Sequence, residues 1–196
     1  MTRPILLMFL VLVLIAGGLG FYAYHLRNRV VVEEQRLAQQ PNAILAPASG
    51  PTTPVTLWVA SDVDGGLHRQ QDNLALPGEQ SERTRAVLRT LLSRYLLNPS
   101  PHPIGAGSDI RDVFLFGGDT AVVDTNAGFA DSHPSGVLAE ELTVASIVET
   151  LSANNPQIKR VKLLVDGKER ETLAGHADLR RFYAPNDMDM LLKDAK

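Results

Sequence analysis

The sequence predicts an α+β domain, a small mixed β-sheet with two α-helices packed on one face, preceded by one transmembrane helix. Three observations lead there. An uncharged apolar run stands near the start, a proline-rich stretch follows it, and beyond that short alternating runs bounded by Gly, Asn and Pro trade places with two segments of helical period. The organisation expected is an anchor over 1–29, a linker over 30–54, a domain over 55–184 and a tail over 185–196.

From Ile5 through Tyr24 the chain reads ILLMFLVLVLIAGGLGFYAY, without a charge. A helix of about 20 residues rises about 30 Å, the thickness of bilayer hydrocarbon. Phe21, Tyr22 and Tyr24 gather at its C-terminal end, where rings with a polar tip favour the headgroup level, and His25, Arg27 and Arg29 close it. The rival reading is a cleaved signal peptide, since Arg3 gives a basic start and Ala16-Gly17-Gly18 a small-residue patch. The apolar run continues past that patch, which favours the anchor. Charge does not orient the segment, because the amino terminus and Arg3 nearly balance Arg27 and Arg29. Pro41, Pro47, Pro51 and Pro54 then interrupt any helix or central strand, so this stretch reads as a tether.

VTLWVAS, from Val55 to Ser61, sets Val55, Leu57 and Val59 on one face and Trp58 and Ala60 on the other, a strand covered on both sides. Asp64-Gly65-Gly66 is a turn, and the weaker run to Leu76 is a candidate return strand. From Ser81 the period is helical: Leu88, Leu91, Leu92, Tyr95 and Leu96 form a stripe, and Asn98-Pro99 ends it. Val113 to Phe116 and Ala121 to Val123 flank Gly117-Gly118-Asp119, a hairpin signal. A second helix is predicted over about Val137 to Leu151, with Val144, Ile147, Val148 and Leu151 inward. Val161, Leu163 and Val165 alternate up to Asp166-Gly167, a type I′ dipeptide, after which Glu169 to Leu173 returns as a last strand.

Composition excludes more than it proposes. The chain of 196 residues is 44% hydrophobic and 21% charged with net charge -3, an ordinary globular balance. It has no cysteine, which removes disulfides, thiolate metal sites, a thiol nucleophile and a lipid-modified cysteine. From Val55 onward 15 Lys and Arg face 20 Asp and Glu, a sign that disfavours nucleic acid and anionic headgroups as partners of the domain.

No catalytic, cofactor or metal site is expected. His68, His102 and His133 stand in turn-rich segments with no second histidine at helical or hairpin spacing. Asp62-Val63-Asp64-Gly65 lacks the later ligands of a calcium loop, and Gly105-Ala106-Gly107 lacks the strand and helix of a nucleotide fingerprint. The polar cluster that stands out is Gly175-His176-Ala177-Asp178. An imidazole two residues from a carboxylate is a candidate acid-base pair, while the plainer alternative is a turn in which Asp178 or the His176 ring caps backbone amides.

Taken together, ELTVASIVETL and VKLLVDGKERETLAGHADL resemble the closing helix, strand, Asp-Gly turn and Gly-His-x-Asp-Leu segment of the GerMN domain, a module named for bacterial sporulation and germination proteins. The resemblance extends back through DVFLFGGDTAVVDTNAGF and RAVLRTLLS to TLWVAS, covering about Thr56 to Tyr183. Two loops depart from it: Ile104-Gly105, where the family usually has a proline after the isoleucine, and Asp124-Thr125-Asn126, where it has a serine. The resemblance implies a fold like that of ring-building modules. It also implies an extracytoplasmic, non-catalytic binding or assembly module of the bacterial cell envelope, anchored in the inner membrane through residues 5–24 with the N-terminus cytoplasmic and the domain periplasmic. Its implied partners are other envelope proteins or peptidoglycan, with Asp166, Gly167, Gly175, His176 and Asp178 as the family-motif residues in ligand or partner contact. Two alternatives stay open: a small envelope hydrolase or lyase using His176 and Asp178, and a purely structural ring-forming homo-oligomer.

Overall fold

The computed structural model describes residues 51–185 and 187; the anchor predicted over residues 5–24 and nearly all of the tail lie outside them. Among the described residues no helix is long and apolar enough to cross a membrane. The first strand, β1 (Thr52–Ser61), pairs antiparallel with β2 (Gly66–Ala75) in unbroken register from Thr52 opposite Ala75 to Ser61 opposite Gly66. It begins ahead of Val55 and takes in Pro54. Proline is tolerated there because β1 has a strand neighbour on one side only. As predicted, both faces of β1 are covered, and Leu57, Trp58, Val59 and Ala60 are all buried.

Helix α1 (Gln80–Tyr95) starts on Glu79, whose carboxylate accepts from the amides of Ser81 and Glu82 at 3.0 and 2.7 Å. Its buried stripe is Val87, Leu88, Leu91, Leu92 and Tyr95. Leu96, predicted inside that stripe, is the C-cap and lies exposed, because the helix stops before its side chain reaches the core.

Strand β3 (Ile110–Phe116) turns at Gly117-Gly118, both at positive φ, into β4 (Thr120–Thr125). A short helix absent from the sequence reading, α2 (Ala127–Asp131), follows on an Asn126 cap. Helix α3 (Val137–Asn154) then returns the chain to β5 (Arg160–Val165), which lies parallel to β4 and completes the order β3-β4-β5. Two helices and the two hairpins stand where the pattern put them. The last strand does not: after Asp166-Gly167, at φ 49° and 70°, only isolated bridges form among the described residues, Val165 with Lys168, Thr172 with Asp178 and Val161 with Tyr183. The I′ turn is there, but the chain peels off to wrap α3.

The single mixed sheet is also a misreading, for the strands divide into a hairpin, β1-β2, and a three-stranded sheet. The reason lies on the open edge of β1. The amides of Thr56, Trp58 and Ala60 point outward at every second residue, and side chains satisfy each of them in place of a neighbouring strand. Asn154 Oδ1 accepts from Thr56 N at 3.0 Å, Thr150 Oγ1 from Trp58 N at 2.9 Å and the Tyr95 hydroxyl from Ala60 N at 2.9 Å. The Asn154 amide also donates to the Thr56 carbonyl at 2.6 Å. Thr143, Ser146, Thr150 and Asn154 recur at helical spacing as one polar ridge of α3. This buries α3 almost all round, where the apolar stripe alone suggested one inner face.

A buried amide left without an acceptor costs about 1–3 kcal/mol. Thr150→Val keeps the shape and removes the acceptor of Trp58 N, so urea denaturation is expected to show a stability loss of about 1–3 kcal/mol. An unchanged midpoint would mean that the β1 edge does not depend on the ridge.

Candidate functional site

The Gly175-His176-Ala177 part of the family motif closes on the N-terminal turn of α3. Glu140 projects from that turn and is fully buried. Its Oε2 accepts three backbone amides, from Ala174 at 3.0 Å and from His176 and Ala177 at 2.9 Å each. Its Oε1 lies 2.9 Å from His176 Nδ1 and 3.3 Å from the amide of Gly136, so the same carboxylate reaches back to the start of its own helix. Gly175 supplies the bend that turns these amides toward one oxygen, at φ 124°, a conformation side-chain-bearing residues rarely adopt. Burial pushes the Glu140 carboxyl up, but the His176 ring and the amides of Ala174, Ala177 and His176 outweigh it and hold the group at about 2.

His176 and Asp178 therefore do not form the acid-base pair that spacing suggested. His176 faces Glu140, whereas Asp178 Oδ1 accepts from the backbone and Nε of Arg180 at 2.9 and 3.1 Å. The Arg180 contacts hold the Asp178 carboxyl below its usual range. Asp178 does cap a backbone amide, as the plainer reading has it. The His176 ring does not, because Glu140 takes that part.

The Asp-Gly turn is tied in the same manner. Gly167 N donates to Asp124 Oδ1 at 2.7 Å, Asp166 N donates to the Thr125 carbonyl at 2.8 Å, and Arg111 Nη1 reaches Asp166 Oδ1 at 2.6 Å. Both departures from the family pattern have structural work. Asn126 caps α2 at Phe129 N and accepts from Asp109 N at 3.0 Å. A Cβ at Gly105 would sit 2.7 Å from the Ser132 carbonyl oxygen and closer still to its side chain, so a proline does not fit this loop as it packs here.

The remaining candidates separate. Asp64 closes its turn on His68 at 2.8 Å and Asp62 lies against His102. His102 and His133, distant in sequence, are buried together against Thr143, a convergence no local spacing could reveal. Among the described residues, no three His, Asp or Glu side chains are gathered as a metal site.

A family profile for Germane, "Sporulation and spore germination", matches residues 49–171. The chain belongs to this family. One solved GerMN structure shares its fold. The tandem GerMN domains of the sporulation protein GerM from Bacillus subtilis align at 21% identity and a TM-score of 0.54, over 69% of this chain and 47% of that one. The first GerMN domain of the same protein gives 20%, 0.47, 65% and 93%. A candidate lipoprotein from Clostridium perfringens gives 15%, 0.44, 74% and 95%. Comparison with the curated proteins finds no match. In this Germane domain the motif segments thus make two latches, Glu140 on the Gly-His-Ala turn and Asp124 with Arg111 on the Asp-Gly turn.

A carboxyl held at about 2 in the fold and near 4.5 in the unfolded chain stabilises fully above pH 4.5, and that stabilisation is lost as pH falls toward 2. The loss expected is roughly 3 kcal/mol. Glu140→Gln should lower stability at pH 7 and flatten the acid limb of the stability curve measured by urea titration. A parallel acid limb in the variant would remove Glu140 from this role.

Proposed function

We propose that this Germane-family chain is a non-catalytic binding or assembly module of the bacterial cell envelope, working near peptidoglycan or on other envelope proteins. In this reading residues 5–24 hold it in the inner membrane with the N-terminus cytoplasmic, the segment 30–54 is a tether and the domain lies outside the cytoplasm. The name of the GerM relatives, a sporulation protein, supports an envelope setting. One observation carries the binding role: the polar motif residues are engaged in holding the fold, while three phenylalanines are left in water on one surface.

That surface is the outward face of the three-stranded sheet. Register places Phe114 beside Val122 and Lys162, and Phe116 beside Thr120 and Arg160. Phe114 and Phe116 are exposed, with ring centroids 6.4 Å apart, and the exposed Phe182 lies beneath Arg160 at 5.6 Å. Exposed aromatic residues grouped with an arginine are the composition of a docking surface.

The double variant Phe114→Ser/Phe116→Ser should unfold as cooperatively as the parent and lose the envelope crosslinks formed by a photoreactive residue at Val122. Unchanged crosslinks would reject this face. For topology, a C-terminal fusion to a reporter that folds only outside the cytoplasm should be active; an inactive fusion beside an active cytoplasmic reporter would reject the orientation.

A further inference from the structure

A chain of hydrogen bonds with an acceptor at each end runs through the core behind the β1-β2 turn. Asp62 Oδ1 lies 2.6 Å from His102 Nδ1, and His102 Nε2 lies 2.6 Å from Thr143 Oγ1. On the far side, Thr143 Oγ1 lies 2.7 Å from His133 Nε2, and His133 Nδ1 lies 2.8 Å from the Pro134 carbonyl oxygen. Both rings and Thr143 are buried, so no water stands in for a missing hydrogen.

The hydrogens can be counted. A carboxylate and a carbonyl only accept, so each Nδ1 carries a hydrogen. Between the two Nε2 atoms stands one hydroxyl with one hydrogen, which serves one Nε2. The other Nε2 must bring its own, and that ring then carries hydrogen on both nitrogens. Were the hydroxyl to turn to the Ala139 carbonyl at 3.2 Å, both rings would need the extra hydrogen.

We propose that Asp62, His102, Thr143 and His133 together hold one proton more than a carboxylate and two neutral imidazoles, and that this proton fastens residues 96–109 to α3 until rising pH removes it. The geometry gives His102 as its place, beside the Asp62 carboxyl group, which lies half in water. His133 is the neutral partner. Burial pushes its imidazole below the usual histidine range, against the pull of the Pro134 carbonyl, and the nearby His102 pushes it the same way. The other groups facing the pair do not compete for the charge. The Tyr95 ring meets His102 edge-on at 5.0 Å, and burial pushes its hydroxyl far up. Phe129 meets His133 at 6.1 Å, and the Glu140 carboxylate on α3 favours a proton in the chain.

Without the proton, one Nε2 and the hydroxyl oxygen face each other lone pair to lone pair. The fastening of four segments then fails: the β1-β2 turn, where Asp62 N also donates to the Pro101 carbonyl at 2.9 Å, residues 96–109, the α2-α3 connection and α3 itself. Leu96, Leu97, Pro103, Ile104 and Gly107 of the released segment line an open groove of about 570 Å³, whose shape would change with it. The sign follows from linkage. Unfolded histidine gives up its proton near pH 6.5 while the fold retains it, so this stabilisation is whole below 6.5 and is lost as pH rises above that point. At its steepest, one proton changes the unfolding constant about tenfold per pH unit.

The test is the nitrogen-proton spectrum of the histidine rings in the full chain at pH 7. His102 is expected with hydrogen on both nitrogens and His133 with hydrogen on Nδ1 alone; two singly protonated rings would overturn the proposal. Hydrogen exchange between pH 7 and 9 gives the second reading. Amides of 96–109 should speed up beyond the intrinsic base-catalysed rise, and Thr143→Val should abolish that excess. If Thr143→Val does not fold, the half-exposed Asp62→Asn replaces it and should bring the excess to lower pH. Exchange in the parent chain that follows the intrinsic rise alone would overturn the proposal.

Discussion

The open edge of β1 is the constraint around which the domain is arranged. Three outward amides on this strand demand acceptors, and a third strand beside the hairpin would be the ordinary supplier. Here Asn154 and Thr150 from α3 and Tyr95 from α1 supply them, so both helices are fixed against the hairpin by directional bonds as well as by apolar contact. The consequence reaches the other sheet. With α3 held on β1, the chain leaving Asn154 enters β5 parallel to β4, and the three-stranded sheet is completed beside the hairpin rather than as its continuation.

The second organising choice is to bury a carboxylate. An ionised Glu140 in the interior would be costly alone, but three amides on one oxygen and a ring nitrogen on the other replace its hydration. Those amides belong to a segment without helix or strand of its own, which wraps the start of α3. The Gly-His-Ala turn is shaped by the carboxylate it surrounds, and Gly175 is the residue that lets the backbone bend far enough. Asp124 repeats the device at Gly167 N, so the two parts of the wrap are held by acidic side chains from β4 and α3.

What the sequence disclosed follows the same division. Local periods showed α1, α3, both hairpins and β5, because Leu88, Leu91 and Leu92, or Val161, Leu163 and Val165, report burial within a few residues of themselves. Leu96 misled because the stripe outlasts the helix. The split into two sheets was illegible: Thr150 and Asn154 look like ordinary polar positions until Trp58 and Thr56 are seen opposite them. The pairing of His176 with Asp178 failed likewise. His176 and Asp178 are close in sequence and so invited pairing, while the true partner, Glu140, stands in another element. Its only mark is an acid in the first turn of a helix otherwise rich in buried residues.

Edges and faces together bear on how such a domain associates. The edge of β1 is closed by helix side chains. On β3, Arg85 and Arg89 cover the carbonyls of Arg111 and Ile110, and the Asp112 carboxylate takes the amide of Val113. On β5, Val161 exchanges both bonds with Tyr183 at 2.8 Å. β2 carries an exposed Arg69, a charge that resists strand addition. Growth by strand pairing is thus opposed on the edges of β1, β3 and β5, and the aromatic side chains left in water among the described residues stand on a sheet face at Phe114, Phe116 and Phe182. A face buries side chains against a partner without borrowing its backbone, so association there selects for shape and chemistry rather than for any strand that is free to pair.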